Sequence, residues 1–190
     1  VKIAIPSANQ PITDEAFFTN TTWFTFFQNV WRGIRGDLGL SLGGMLNVNT
    51  TPVANVSSGE SDLITYVLAK NSLINNGDVL EIEAWGIYAA NANNKTVKLI
   101  FGNQTILTTG IVAANDGSWS LKAKVIRKTE TTQEIISEIL SSNSSVTDSA
   151  TRTAGTQILT SDITIKCTGT GVIDNDIIQY AFKINLTPNT

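Results

Sequence analysis

Ile178-Gln179-Tyr180-Ala181-Phe182-Lys183-Ile184-Asn185-Leu186, close to the end of a 190-residue chain, carries the clearest structural pattern in it. Under period-two alternation Ile178, Tyr180, Phe182, Ile184 and Leu186 point one way, and Gln179, Lys183 and Asn185 the other. One apolar and one polar side mark a half-buried strand of an antiparallel sheet. Residues 118–126 repeat the pattern, with Trp119, Leu121, Ala123 and Val125 set against Ser118, Ser120, Lys122 and Lys124. Working outward, strand signals recur near 53–57, 62–69, 79–89, 95–102, 104–111, 118–128, 132–140, 156–167 and 176–186. Turn-formers separate them: Asn76-Gly77-Asp78, Asn91 to Asn94, Gly102-Asn103, Asn115-Asp116-Gly117, Gly169-Thr170-Gly171 and Asp174-Asn175. Eight or nine such strands predict an all-β fold, an antiparallel β-sandwich.

Two segments resist a simple assignment. Residues 131–140 also fit a helix, with Ile135, Ile136, Ile139 and Leu140 on one side, and pattern alone does not choose. In 79–89, Leu80, Ile82 and Ala84 take the core face, which leaves Trp85 and Ile87 on the face shared with Glu81 and Glu83. An outward tryptophan implies a cover, and a neighbouring subunit is the expected one.

Hydrophobic content of 42% suffices for one substantial core, while 15% charged residues is low for a free-standing domain. Thr, Asn, Ser and Gln supply the polar surface instead. The net charge is −3, and the 13 Lys+Arg residues are scattered, so no basic stripe exists to bind nucleic acid. The lone Cys167 alternates with Ile163 and Ile165, which reads as a buried small apolar residue rather than a reactive thiol. Seven Asn-X-Ser/Thr triplets, starting at Asn20, Asn49, Asn55, Asn94, Asn103, Asn143 and Asn185, read as coincidence in a chain this rich in Asn and Thr. The opening Val-Lys-Ile-Ala-Ile-Pro lacks the apolar stretch of a secretory signal.

The first 48 residues have a different texture. Pro6 and Pro11 keep 1–16 extended. Trp23, Phe26, Phe27, Val30 and Trp31 then recur at helical i, i+3, i+4, i+7, i+8 spacing and form an aromatic stripe. A short amphipathic helix over about 22–33 is predicted, capped by Thr21 or Thr22 and stopped by Gly33 and Gly36. It is far shorter than the ~20 apolar residues of a membrane span, so no membrane insertion is expected. Residues 36–49 form a Gly-rich connector with Leu38, Leu40 and Leu42 in apolar rhythm. The expected organisation is an anchor over 1–48 and a sandwich over 49–190. Burying each aromatic is worth roughly 2–3 kcal/mol, so an exposed stripe calls for a partner, and docking or self-assembly is its expected role.

Chemistry is scarce. With no histidine in the chain, Ser-His-Asp and Cys-His sites, histidine-held metals and the commonest general base are all excluded. Glu81 and Glu83 share one strand face about 6.5–7 Å apart, compatible with a glycosidase pair at roughly 5–9.5 Å, but two glutamates on a solvent face need no such role. Asp174-Asn175-Asp176 offers oxygen ligands for calcium, yet the full ligand loop with its terminal Glu is missing, so it reads as a turn. Gly169-Thr170-Gly171 lacks the rest of any phosphate-binding pattern. No catalytic, metal or cofactor residue is expected.

Several segments in order resemble bacteriophage virion structural proteins with a C-terminal jelly-roll domain. They are Asn-Thr-Thr-Pro-Val-Ala-Asn-Val-Ser-Ser-Gly-Glu-Ser-Asp-Leu-Ile-Thr-Tyr-Val-Leu (49–68), Ala84-Trp85-Gly86, Ala-Asn-Asn-Lys-Thr-Val-Lys-Leu-Ile-Phe-Gly (92–102), Gly117-Ser118-Trp119 with Ala-Lys-Val-Ile-Arg (123–127), and Ile-Thr-Ile-Lys-Cys-Thr-Gly (163–169). The start, Pro11-Ile12-Thr13-Asp14 followed by Phe-Phe-Gln-Asn-Val-Trp-Arg (26–32), is similar to a short module that opens such proteins. The resemblance implies a jelly-roll-like sandwich, strand for 131–140, and a homotrimer. It further implies a head fibre, capsid decoration or tail-fibre knob on the particle surface, held to other virion proteins by its N-terminal segment. The alternative is a receptor- or carbohydrate-binding module at a tail-fibre tip, contacting a host-surface glycan, for which Tyr66, Tyr88 and Trp85 are the candidate platform.

Overall fold

The computed structural model describes residues 43–142 and 148–189. The strands are β1 (Gly44–Asn49), β2 (Val53–Ala54), β3 (Gly59–Leu68), β4 (Val79–Tyr88), β5 (Ala90–Phe101), β6 (Gln104–Thr108), β7 (Val112–Asn115), β8 (Ser118–Arg127), β9 (Gln133–Ser141), β10 (Ser149–Gly155), β11 (Ile163–Gly171) and β12 (Ile177–Thr187). Two antiparallel sheets pack as a jelly-roll-like sandwich. The larger runs β1-β12-β4-β8-β9-β10, with β2 also on β12, and the smaller runs β3-β11-β5-β6, with β7 also on β5. The predicted helix with Trp23, Phe26, Phe27, Val30 and Trp31, the extended arm and the first part of the connector lie outside the described residues.

The core is the sum of the inward sides. β4 contributes Leu80, Ile82, Ala84 and Tyr88, β8 contributes Trp119, Leu121, Ala123 and Val125, and β11 contributes Ile163, Ile165 and Cys167, all buried. Gly86 makes this packing possible. A Cβ there would stand 2.2 Å from the Trp119 ring and from the Ile178 carbonyl oxygen, so the indole can lie across β4 and donate to the Ile87 carbonyl at 3.2 Å. Cys167 is fully buried beside Ile163 and Ile165, as its alternation implies, and burial pushes its thiol pKa up.

Residues 133–141 are strand. Ile135 and Ile139 enter the core while Ile136 and Leu140 face out, which is the period-two solution of an ambiguous sequence. Other boundaries differ from expectation. Residues 44–49, read as connector, form β1 and pair with β12. The segment 104–111 divides into β6 and a separate β7. Strand 156–167 begins only at Ile163, and the backbone of Gln157 ahead of it is held by the Gln133 side chain. Its Oε1 accepts from the Gln157 N–H and its Nε2 donates to the Gln157 carbonyl, both at 2.9 Å, imitating a neighbouring strand. Gly169-Thr170-Gly171 is strand and not turn, and Gly171 is needed because a Cβ would meet the Asn55 Nδ2 at 2.6 Å and the Asp176 Cβ at 2.8 Å. Asn91 to Asn94 open β5, pairing irregularly with β7.

β12 does not keep one alternation along its whole length. Phe182, Ile184 and Leu186 are buried as predicted, but Ile177 and Gln179 are buried in place of Ile178 and Tyr180. A register shift between Gln179 and Ala181 against β4 accounts for this. One extra residue in β12 reverses the parity of everything before it.

Candidate functional site

The outer face of the large sheet is built on β4, where Glu81, Glu83, Trp85 and Ile87 are half-buried and alternate with the buried set. Trp85 lies opposite Ala181 of β12 and Ser120 of β8, and Ser120 lies opposite Leu140 of β9. Ile87 lies opposite Ile178, which in turn faces Ala54 of β2. The bulge adds Tyr180, 43% exposed, beside this group, and Leu140 is 45% exposed. Trp85, Ile87, Ile178, Tyr180 and Leu140 thus gather at one end of one sheet face. Ser120 sits among them with its hydroxyl buried and without a hydrogen-bond partner among the described residues.

The next rows of the same face are charged and internally paired. In register across four strands run Lys183, Glu83, Lys122 and Glu138, with Lys183–Glu83 at 3.5 Å and Lys122–Glu138 at 3.6 Å. Beyond them Lys124 meets Glu81 at 3.2 Å. Such cross-strand pairs are each worth at most about 1 kcal/mol; their consequence is to set a polar border to the apolar end. The hydrogen bond from Lys124 holds the Glu81 carboxyl below the ordinary carboxylate range. A glycosidase general acid needs the opposite shift. The groove between these side chains encloses about 140 Å³, well under the roughly 300 Å³ of the smallest usual ligand pockets.

The outer face of the small sheet is different in kind. Thr164, Lys166, Thr168 and Thr170 of β11 run along its middle, flanked by Lys98–Glu60 and Lys166–Asp62 pairs at 2.7 Å. The Glu60 carboxyl also accepts from the Thr168 hydroxyl at 2.6 Å, and the Lys98 hydrogen bond leads the causes that hold its pKa low. This face is predominantly polar, with Thr168 buried beneath Glu60 and with Val67 of β3, 54% exposed, and half-buried Ile100 of β5 among the polar side chains.

The remaining candidates separate. Tyr88 is fully buried, its phenol pushed up to about 12 by that burial, and Tyr66 packs half-buried against the core from β3. Neither joins Trp85. Sequence reading placed Trp85 and Ile87 outward correctly but missed Tyr180 and Ile178. A signal existed: Ile177 and Ile178 are adjacent and cannot both face the core, so alternation counted from Ile177 conflicts with alternation counted from Phe182.

Asp174-Asn175-Asp176 forms a turn. Asp174 accepts from the Ser57 N–H, and Asn175 takes a left-handed φ of 62°. Asp176 is buried and accepts from the N–H groups of Val172 (2.8 Å) and Ile173 (3.0 Å) and from the amides of Asn91 (2.8 Å) and Asn93 (3.2 Å). Lys95, also buried, donates to the Asn91 carbonyl (2.9 Å), the Asn91 Oδ1 (2.8 Å) and the Asn93 carbonyl (3.1 Å). Among the described residues no group of three or more His, Cys, Asp or Glu is placed to hold a metal ion. The chain matches no protein-family model and no curated protein.

Proposed function

We propose that this chain is a non-enzymatic structural component of a phage particle, anchored by residues 1–48 and displaying its sandwich as a homotrimer. The observation that carries the reading is the aromatic, apolar end of the large sheet, where Trp85, Ile87, Ile178 and Tyr180 lie together, while the other sheet presents chiefly threonines and ion pairs around Val67 and Ile100. Copies around an axis bury such a patch and hide it from non-specific association. On this reading the N-terminal aromatic residues serve a capsid or tail protein, and the chain stands on the particle surface as a head fibre, decoration knob or tail-fibre tip. The resemblance over 49–187 supports this reading.

Light scattering of the full chain and of a fragment starting at Leu42 tests it. Trimers in both cases mean that the sandwich assembles and the N-terminal segment is free to anchor. Trimers of the full chain alone assign assembly to the aromatic segment, and a strictly monomeric full chain sinks the reading. Tyr180 beside Trp85 favours a second reading, a glycan-binding platform, because aromatic faces pair with sugar rings. Quenching of tryptophan fluorescence by host-surface oligosaccharide, lost in Tyr180→Ala, is its expected signature.

A further inference from the structure

Among the described residues β10 is the outermost strand of the large sheet and pairs only with β9, over seven residues without a register shift. Its sequence, Ser149-Ala150-Thr151-Arg152-Thr153-Ala154-Gly155, contains no proline and no lysine, the usual guards of a sheet edge. The other edges are guarded by irregularity: β1 carries a register shift, β6 has five residues and a shift against β5, and β3 is bulged. The one charge on β10 is turned away from the edge. Arg152 makes a two-pronged contact with Glu134 of β9, one prong from Nη2 at 3.0 Å, and so folds back over its own sheet.

The hydrogen-bonding direction along β10 follows from two contacts. The Ser142 N–H donates to the Ser118 carbonyl across β8 and β9, so alternate residues of β9 from Glu134 to Leu140 bond to β8, and Gln133, Ile135, Ser137 and Ile139 bond to β10. Their partners are Gly155, Thr153, Thr151 and Ser149. The backbone groups of Ala150, Arg152 and Ala154 therefore face outward. Independently, the Ala154 carbonyl accepts from Gln104 Nε2 at 2.8 Å, outside the ladder. Among the described residues that leaves the N–H and C=O of Ala150 and Arg152 as the open groups of the edge.

We propose that β10 pairs antiparallel with β10 of a second copy, about a twofold axis at Thr151. In that register Ala150 stands opposite Arg152 of the second copy and Arg152 opposite its Ala150. All four open groups of each strand are then bonded, Ala154 keeps its Gln104 contact, and the two arginines do not oppose each other. A register centred on Arg152 sets like charges face to face and competes for the Ala154 carbonyl. The side chains of Ser149, Ala150, Thr151 and Thr153 on the strand itself are small. The pairing joins sandwiches edge to edge and uses a surface separate from Trp85, so it links trimers where trimers form.

The test uses the full chain. Thr151 meets its own copy in a non-hydrogen-bonded pair, where Cα atoms lie about 4.5 Å apart, within disulfide reach. Thr151→Cys is expected to form a covalent dimer on mild oxidation, with Cys167 buried and silent. Ala150→Pro removes one outward N–H and is expected to halve the mass at high concentration in sedimentation. A Thr151→Cys chain that stays uncrosslinked overturns the pairing, as does an Ala150→Pro protein of unchanged mass. A mass in multiples of three that Ala150→Pro does not alter removes the twofold contact and leaves the threefold reading standing.

Discussion

Asp176 is enclosed, yet its carboxyl is held below its ordinary value of 3.8. Burial pushes the pKa up, but the hydrogen bonds from Ile173, Asn91, Val172 and Asn93 together outweigh it. A folded-state pKa below the unfolded one means that the unfolded chain binds the proton more readily. The stabilisation is therefore complete above about pH 4 and is lost as pH falls through the folded value. Asp176→Asn keeps the shape but opposes amide donors with a donor, and is expected to cost roughly 1.5–3 kcal/mol at pH 7. Urea unfolding between pH 2.5 and 7 should show a flatter acid limb in the variant. Equal acid limbs in the two proteins would remove Asp176 from this role. Nothing in Asp174-Asn175-Asp176 announces the network beforehand, because its partners Asn91, Asn93 and Lys95 come from a segment about 80 residues away that reads as a turn.

At the scale of the element, legibility follows from how one-sided a strand's burial is. β4 and β8 alternate without interruption and read directly from sequence, as does the second half of β12. β10 has mostly exposed residues and no apolar side, so no period marks it. The bulges are the deeper loss, since each reverses parity. Two of them are joined by Gln179. Leu63 and Ile64 are both buried where β3 shifts register against β11, which leaves the Ile64 N–H without a ladder partner. Gln179, turned inward by the β12 bulge, accepts that N–H with its Oε1 at 3.0 Å and donates to the Ala181 carbonyl at 3.2 Å. A buried glutamine in an apolar core is thus the clasp between the sheets. Gln179→Leu is expected to destabilise by about 2–3 kcal/mol, since it strands a buried donor. Hydrogen exchange should report faster exchange at Ile64 in that variant. Protection of the Ile64 amide unchanged from the parent would show that the clasp is not used.

For the whole molecule, the two outer faces are the informative contrast. Their difference was half legible: Trp85 and Ile87 are outward by parity against Leu80, Ile82 and Ala84, while Tyr180 joins them only through the bulge. If copies cover this end, Trp85 is buried by assembly rather than by folding, and the two energies can be separated. Trp85→Lys removes about 2–3 kcal/mol of apolar burial per contact and introduces a charge. Association should weaken by roughly 30-fold or more, since 1.4 kcal/mol is a tenfold change. The stability of the sandwich, measured by urea at a concentration where the parent is dissociated, should stay within about 1 kcal/mol, because the side chain is only half-buried and its neighbours Ala181 and Ser120 are small. A large loss of stability with association unchanged would assign Trp85 to the fold alone. The reverse result makes the apolar end of the sheet an assembly surface, with the charged rows of Lys183, Glu83, Lys122 and Glu138 as the border that limits how far a neighbouring copy can slide along it.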